Sequence, residues 1–448
     1  MEVGTRRIMD KSFSSVGIFA IVLMAVSLVI LLQPVIMRGI GAFAFRGTVE
    51  FREMMLHQFG RGDEDKILIE TEAAEAARRP VYELVEAFEI ELQEADSEFR
   101  SKYRSQFREL KGRIEDLLGP AGADPGGILP RKRYGQTRWD RAEKKLHDIL
   151  FVEGYDHSDP SRMGVRIFTP RVDDFRGTSL EPLFGILERD AEKMLKPKPT
   201  LYWRFFFDES IDSHFFGGIW PEMLGTFYLS LGAMLFAIPF GIITAIYLAE
   251  YSGTGRFVSL LRTCISSLAG VPSIVFGLFG LAFFINTVHV SDSKSVLAGS
   301  LTLALLILPT IIRASEEAIL AVPGGYKEAS MSVGASKWRT ITTVILPAAM
   351  PGILTSMIIS LGRAAGETAP IIFTAAVSVG KPLGLMQVFN QPTPALPWNI
   401  YNLATEHEAV DEIRHVQYGM VFTLVLMVLM LNLAAILIRA RITKRLRG

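Results

Sequence analysis

The chain has 448 residues, a formal net charge of +0 and 49% hydrophobic residues. That average says nothing about partners; no basic block suggests nucleic acid, the only dense basic run being the tail Arg439 to Arg447, and a single cysteine, Cys264, excludes an intramolecular disulfide and a cysteine-based metal cluster. No G-x-x-x-x-G-K-[ST] segment is present to cradle ATP, so this chain carries no ATPase motif of its own.

Residues 13–36 are almost uninterrupted apolar and follow Arg6, Arg7 and Lys11. About 20 such residues cross a bilayer as a helix. A cleavable signal is the alternative, with Ala42-Phe-Ala44 as its small-x-small site, but the apolar run exceeds the roughly 7–15 residues of a signal core. We therefore expect a retained first span, with residues 1–37 as amino end and helix.

Residues 38–215 are charged and read as a water-soluble, mostly helical domain inserted between the first and second spans. From 64 to 118, Leu84, Phe88 and Leu92, then Phe99, Tyr103, Phe107 and Leu110, form a helical stripe; one amphipathic helix is predicted, or two broken near Pro80. Gly119 to Pro130 is a turn-rich break, 137–152 a short helix, 162–176 a segment with a strand, and 179–195 a last helix before Pro197 and Pro199. His57, His147, His157 and His214 lack ligand spacing and read as surface histidines, so neither a metal site nor a cofactor is expected. Nothing in the domain's residues indicates its role.

Apolar character returns at Trp220, with spans expected at 223–249, 263–287, 296–320, 349–379 and 416–438, six with the first. The fold class is thus mainly α, a polytopic membrane protein. Lys and Arg gather at the amino end, in 250–262, in 321–347 and in the tail from Arg439 to Arg447. By the charge bias of short loops, both termini and the 321–347 loop face the cytoplasm, and the 38–215 domain lies outside.

Between two apolar spans, Glu328-Ala-Ser-Met-Ser-Val-Gly334 is helix-compatible up to a turn-forming glycine. A second helical run follows and ends at Pro347, which suits the first turn of the next helix. Such a polar hairpin has the shape of a helix laid into a groove on a soluble partner. An ionisable group inside a span is costly and marks function by default. Arg363 and Glu367 lie four apart in the fifth span and share a helix face, near the bilayer midplane for Arg363. Gly362 and Gly366 beside them allow close helix approach, and Thr368 adds a hydroxyl. A buried Arg suits two-point donation to an oxyanion, with Glu367 to orient it; a self-neutralising pair is the structural alternative. Arg313, near the cytoplasmic end of the fourth span, either snorkels or joins the pathway.

The Glu328 hairpin resembles the EAA loop of ABC-importer permeases, with Glu328, Ala329, Gly334, Leu346 and Pro347 on the pattern and Ser330 and Val344 as mild departures. Gly225-Thr226, Pro239-Phe-Gly241, Ile246-Tyr-Leu-Ala-Glu250-Tyr251, Gly270-Val-Pro272-Ser-Ile-Val-Phe-Gly277 and Arg363-Ala-Ala-Gly366-Glu-Thr-Ala-Pro370 are similar to the PstA-type permeases of phosphate importers, over about 216–445. The resemblance implies a permease core at 216–448 with the coupling loop at 321–347. It also implies a PstC-type sister permease, a dimer of cytoplasmic ATP-binding subunits that hydrolyse the ATP, and a periplasmic phosphate-binding protein. It further implies that Glu328, Ala329, Ser330, Gly334, Leu346 and Pro347 couple to the ATPase and that Arg363 and Glu367 serve phosphate passage. The long first extracytoplasmic loop departs from the family's short form and resembles the extension of some proteobacterial versions. Sulfate, molybdate or tungstate as cargo, and a membrane-anchored sensor or scaffold, are the alternative readings.

Overall fold

The computed structural model describes residues 3–121, 133–155, 164, 166–253 and 255–447, with backbone alone for 3–11 and 445–447. Positions 122–130 of the expected turn-rich break, together with His157, Met163 and the side chains of Arg6, Arg7, Lys11, Arg445 and Arg447, lie outside the described residues. The chain forms two compact units, Phe43–Trp203 and a second that joins Met1–Ala42 to Arg204–Gly448. The first falls within the expected 38–215 domain.

The second unit opens with α1, Val3–Ile40. The Phe43–Trp203 unit then contains β1 (Ala44–Gly47), α2 (Val49–Phe59), α3 (Glu64–Glu94), α4 (Ser97–Leu118), α5 (Trp139–Leu150), β2 (Phe151–Tyr155), β3 (Arg166–Pro170), α6 (Glu181–Leu195) and β4 (Lys198–Leu201). Its strands form two antiparallel pairs, β1 with β4 and β2 with β3. The predicted stripe is the core: Phe88 is fully buried and meets Phe107 at 4.9 Å, Phe175 at 5.9 Å and Tyr103 at 6.0 Å, in edge-on contacts. The break in this helical region is at Ala95–Asp96 and not at Pro80, which sits inside α3. Asp96 supplies the reason: its carboxylate accepts from the Phe99 amide at 2.8 Å and caps α4.

One buried cation ties the unit together. Arg78 on α3 pairs with Glu50 at 2.5 Å and donates to the carbonyls of Met194 and Leu118. Beside it, burial, reinforced by the neighbouring Glu50 charge, pushes the Glu53 carboxyl up to about 7.

Beyond Trp203 the second unit continues with α7 (Trp220–Ile246), α8 (Arg256–Leu268), α9 (Ser273–Gly280), α10 (Val296–Leu320), α11 (Gly324–Ser332), α12 (Lys337–Thr340), α13 (Leu346–Gly366), α14 (Ala369–Thr374), α15 (Leu396–Thr405) and α16 (Val410–Arg447). Among the described residues five helices are long and apolar enough to cross a membrane, or six if one bent pair counts as a span.

That bent pair corrects the expected straight span at 263–287. Arg256–Leu268 and Ser273–Ile285 meet at 101°. Pro272 lacks an amide hydrogen and disfavours helix at Val271, so the chain turns through Ala269-Gly-Val271. The 349–379 span is corrected too. α13 stops at Gly366, because Pro370 offers no amide hydrogen to the Gly366 carbonyl and its ring would collide with it. Glu367 is extended at φ −79° and ψ 128°. The bundle centre is built by α7, α10, α13 and α14 around Leu229, Ala233, Leu303, Ile307, Ile311 and Ile371. At Gly277 on α9 a Cβ would stand 2.9 Å from the Ala369 carbonyl oxygen, so glycine lets α9 pack on α14.

Candidate functional site

The hairpin is built from α11, a turn at Gly334 and α12. Gly334 has φ +86°, a left-handed value that glycine adopts without strain. Ser336 then caps α12. The second helical run does not end at Pro347, as expected. It passes through a widened turn, Ile341–Ile345, straight into α13, and the widening falls just ahead of a proline that offers the ladder no donor.

Its inner side is fastened. Lys327 pairs with Glu250 beyond the end of α7, and the Lys337 ammonium lies 4.6 Å from the centre of the Tyr251 ring. The Ser330 and Thr340 hydroxyls are 3.0 Å apart. Ile341 and Ile345 are buried with Ala245, Ile246 and Ile319, and Leu346 packs against them; Pro347 is half-buried. Its outer side is bare: Glu328 and Ala329 are exposed, and Val333 and Trp338 are 84% and 60% exposed. An exposed apolar pair on a rigidly held hairpin suits a partner's groove.

Arg363 occupies the last turn of α13, where the open carbonyls favour a cation. Its Nε donates to Glu367 Oε1 at 3.3 Å, so the two are joined as expected, although Glu367 has left the helix. The side chains are 38% and 21% exposed. No other hydrogen bond to the guanidinium occurs among the described residues, so both Nη groups remain available to an anion. Thr368 is half-buried and leads into α14. The close approach expected at both glycines holds at one. A Cβ on Gly362 would meet Asn432 of α16 at 3.6 Å, whereas at Gly366 nothing lies within 4 Å. Arg313 is exposed on α10 and makes no hydrogen bond or ion pair with Arg363, Glu367 or Thr368 among the described residues. Its neighbour Glu316 instead receives Arg262 of α8 at 2.9 Å.

Two polar features escaped the sequence reading. Asn432 carries a buried Oδ1 without a partner, one helix away from Arg363; an asparagine inside an apolar span was the available signal. His214 is not a surface histidine but 2% exposed. Its Nε2 lies 2.8 Å from Glu222 Oε1, which also accepts from Asn399 at 3.2 Å. Nearby, Thr226 accepts from the Leu396 amide. A carboxyl at the first turn of an apolar helix was the sign that a buried donor would be needed.

The profile of the family described as "Binding-protein-dependent transport system inner membrane component" matches residues 237–448. The chain is 37% identical over 246 residues to "Phosphate transport system permease protein PstA 1" of Mycobacterium tuberculosis, covering 55% of this chain and 77% of that protein. It is 34% identical over 239 residues to "Probable ABC transporter permease protein YqgI" of Bacillus subtilis, covering 51% and 80%. A solved structure of the MetNI methionine ABC transporter, inward facing, overlaps 50% of this chain and 94% of that one, with 21% identity and a TM-score of 0.38.

Proposed function

We propose, from the premise that this chain belongs to the PstA family of binding-protein-dependent transport permeases, that it is the permease subunit of an ATP-driven importer of inorganic phosphate. It forms the pathway with a PstC-type sister permease, works with a dimer of cytoplasmic ATP-binding subunits, and receives phosphate from a periplasmic binding protein. It sits in the bacterial inner membrane with both termini cytoplasmic and residues 38–215 periplasmic.

The observation that carries the cargo is the Arg363 guanidinium at the broken end of α13, with its Nε held by Glu367 and its Nη groups free. A planar two-point donor matches a phosphate oxygen pair better than a point charge does. Thr368 adds a hydroxyl beside it, and Arg313 provides a second cation nearer the cytoplasm. Coupling runs through Glu328, Ala329, Ser330 and Gly334, with Leu346 and Pro347 carrying the hairpin's motion into α13.

The cargo is tested by expressing the chain with its partners in a strain lacking its own importer and measuring phosphate, sulfate, molybdate and tungstate uptake. Phosphate uptake that competing oxyanions leave unchanged is expected; restored sulfate uptake without phosphate would overturn the cargo. Orientation is tested in a Cys264→Ser background. A cysteine at Ser97 should react with an impermeant thiol reagent added outside, and one at Ser336 should not.

A further inference from the structure

The Phe43–Trp203 unit contains none of the residues assigned above to coupling or translocation, yet its charges are unevenly arranged. Most of its cations stand against a carboxylate: Arg52 with Glu70, Arg113 with Glu109, Arg138 with Asp140 and Lys193 with Asp190. Three arginines on α4 break that habit. Arg100, Arg104 and Arg108 recur every four residues, so they lie on one helix face. None has a carboxylate partner among the described residues, and all three are exposed.

They line a groove of about 530 Å³ between α3 and α4. Leu92 and Phe107 give it an apolar lining. Its one carboxylate, Glu89, is already matched by Lys111 at 2.7 Å. The groove therefore presents three uncompensated guanidinium groups beside an apolar surface.

We propose that this groove is a docking site for an acidic segment of the solute-binding protein, one that alternates carboxylates with apolar side chains. Eight residues of α-helix separate Arg100 from Arg108, about 12 Å of rise. One tetrahedral anion cannot bridge that length, whereas an extended chain rising about 3.3 Å per residue sets alternate side chains about 7 Å apart, close to one arginine per helical turn. Arginine forks engage carboxylates in pairs, and the intervening apolar side chains would lie on Leu92 and Phe107. A family whose transport depends on a binding protein supplies the protein partner. That choice of partner rests on the orientation proposed above; the groove's preference for an acidic chain does not.

The test uses the full chain in detergent, with Cys264→Ser and Gln93→Cys carrying an environment-sensitive dye at the groove edge. A short peptide alternating glutamate and leucine should give a saturable signal. Arg104→Glu with Arg108→Glu should weaken it at least about tenfold, and Arg104→Lys with Arg108→Lys should restore part of it, since the point charge remains while the fork is lost. Unaltered peptide binding in the double glutamate variant would overturn the proposal. So would saturation by inorganic phosphate or by phosphatidylglycerol vesicles in place of the peptide. In the assembled importer, the double glutamate variant should raise the binding-protein concentration needed for half-maximal uptake, and salt should affect it less than the parent. Unchanged kinetics would overturn the partner. Lack of phosphate uptake by the parent would overturn the import reading and leave the peptide result standing.

Discussion

Lys327, in the first helix of the hairpin, pairs with Glu250, just past the end of α7, and the Glu250 side chain is only 8% exposed. Lys337 on the hairpin's second arm lies over Tyr251, the next residue along. Both arms are thus fastened to the end of one apolar helix, in addition to the covalent continuity of α12 with α13. A push on the hairpin reaches the bundle by two routes.

Reversing one member of that pair sets like charges against each other around a mostly buried carboxylate position, at a cost of about 1–3 kcal/mol or more. Lys327→Glu and Glu250→Lys are each expected to leave ATP hydrolysis by the assembled complex intact while uptake per ATP falls several-fold. The double reversal should recover the ratio. Normal uptake per ATP in both single variants would remove the second route.

For Arg363, the half-exposed side chain means that Arg363→Gln should leave the amount of protein in the membrane unchanged and stop uptake. Arg363→Lys should recover little, because an ammonium does not reproduce the fork. Glu367→Gln should retain partial uptake, since a neutral oxygen can still receive Nε. Should the double Arg363→Gln, Glu367→Gln variant transport normally, the pair is structural.

Gly334 tests the hairpin turn. Space around it is open, so the obstacle to a side chain is backbone conformation alone. A β-branched residue in the left-handed region costs about 1–2 kcal/mol, whereas asparagine tolerates it. Gly334→Val should weaken co-purification with the ATP-binding subunit, and Gly334→Asn should nearly preserve it. Equal behaviour of the two variants would show that the turn's geometry is irrelevant to docking.

Glu53 gives a pH signature to the Phe43–Trp203 unit. Its folded pKa is raised from 4.5 to about 7, so the folded unit holds this proton more firmly than the unfolded chain. Stability is therefore greatest on the acid side of that window and is lost as pH rises from about 4.5 to about 7. Hydrogen exchange of this unit within the full chain should quicken across that range, and Glu53→Gln, which mimics the protonated form, should flatten the response. Exchange that slows with rising pH, after correction for intrinsic rates, would reverse the sign.

Much of this protein is set by local and periodic features. Apolar runs long enough for a bilayer located the membrane helices, and the four-residue recurrence of Leu84, Phe88 and Leu92 announced the packed face of α3. The spacing of Glu328, Gly334 and Pro347 marked the hairpin, and Arg363 with Glu367 marked an ion pair, because a turn and a four-residue reach are decided within a few residues of chain.

What the sequence left open depends on partners distant along the chain. A proline alone does not decide the outcome: two expected spans are broken at Pro272 and ahead of Pro370, whereas Pro80 and Pro239 are carried through inside α3 and α7. His214 reads as a surface residue because no ligand spacing surrounds it in sequence; only folding brings Glu222 and, through it, Asn399 against it and removes all three from water. Lys327 finds Glu250 across 77 positions, and Arg262 finds Glu316 across 54. No periodicity encodes such pairings, since a charge in sequence becomes a contact only when packing chooses which helix stands opposite it.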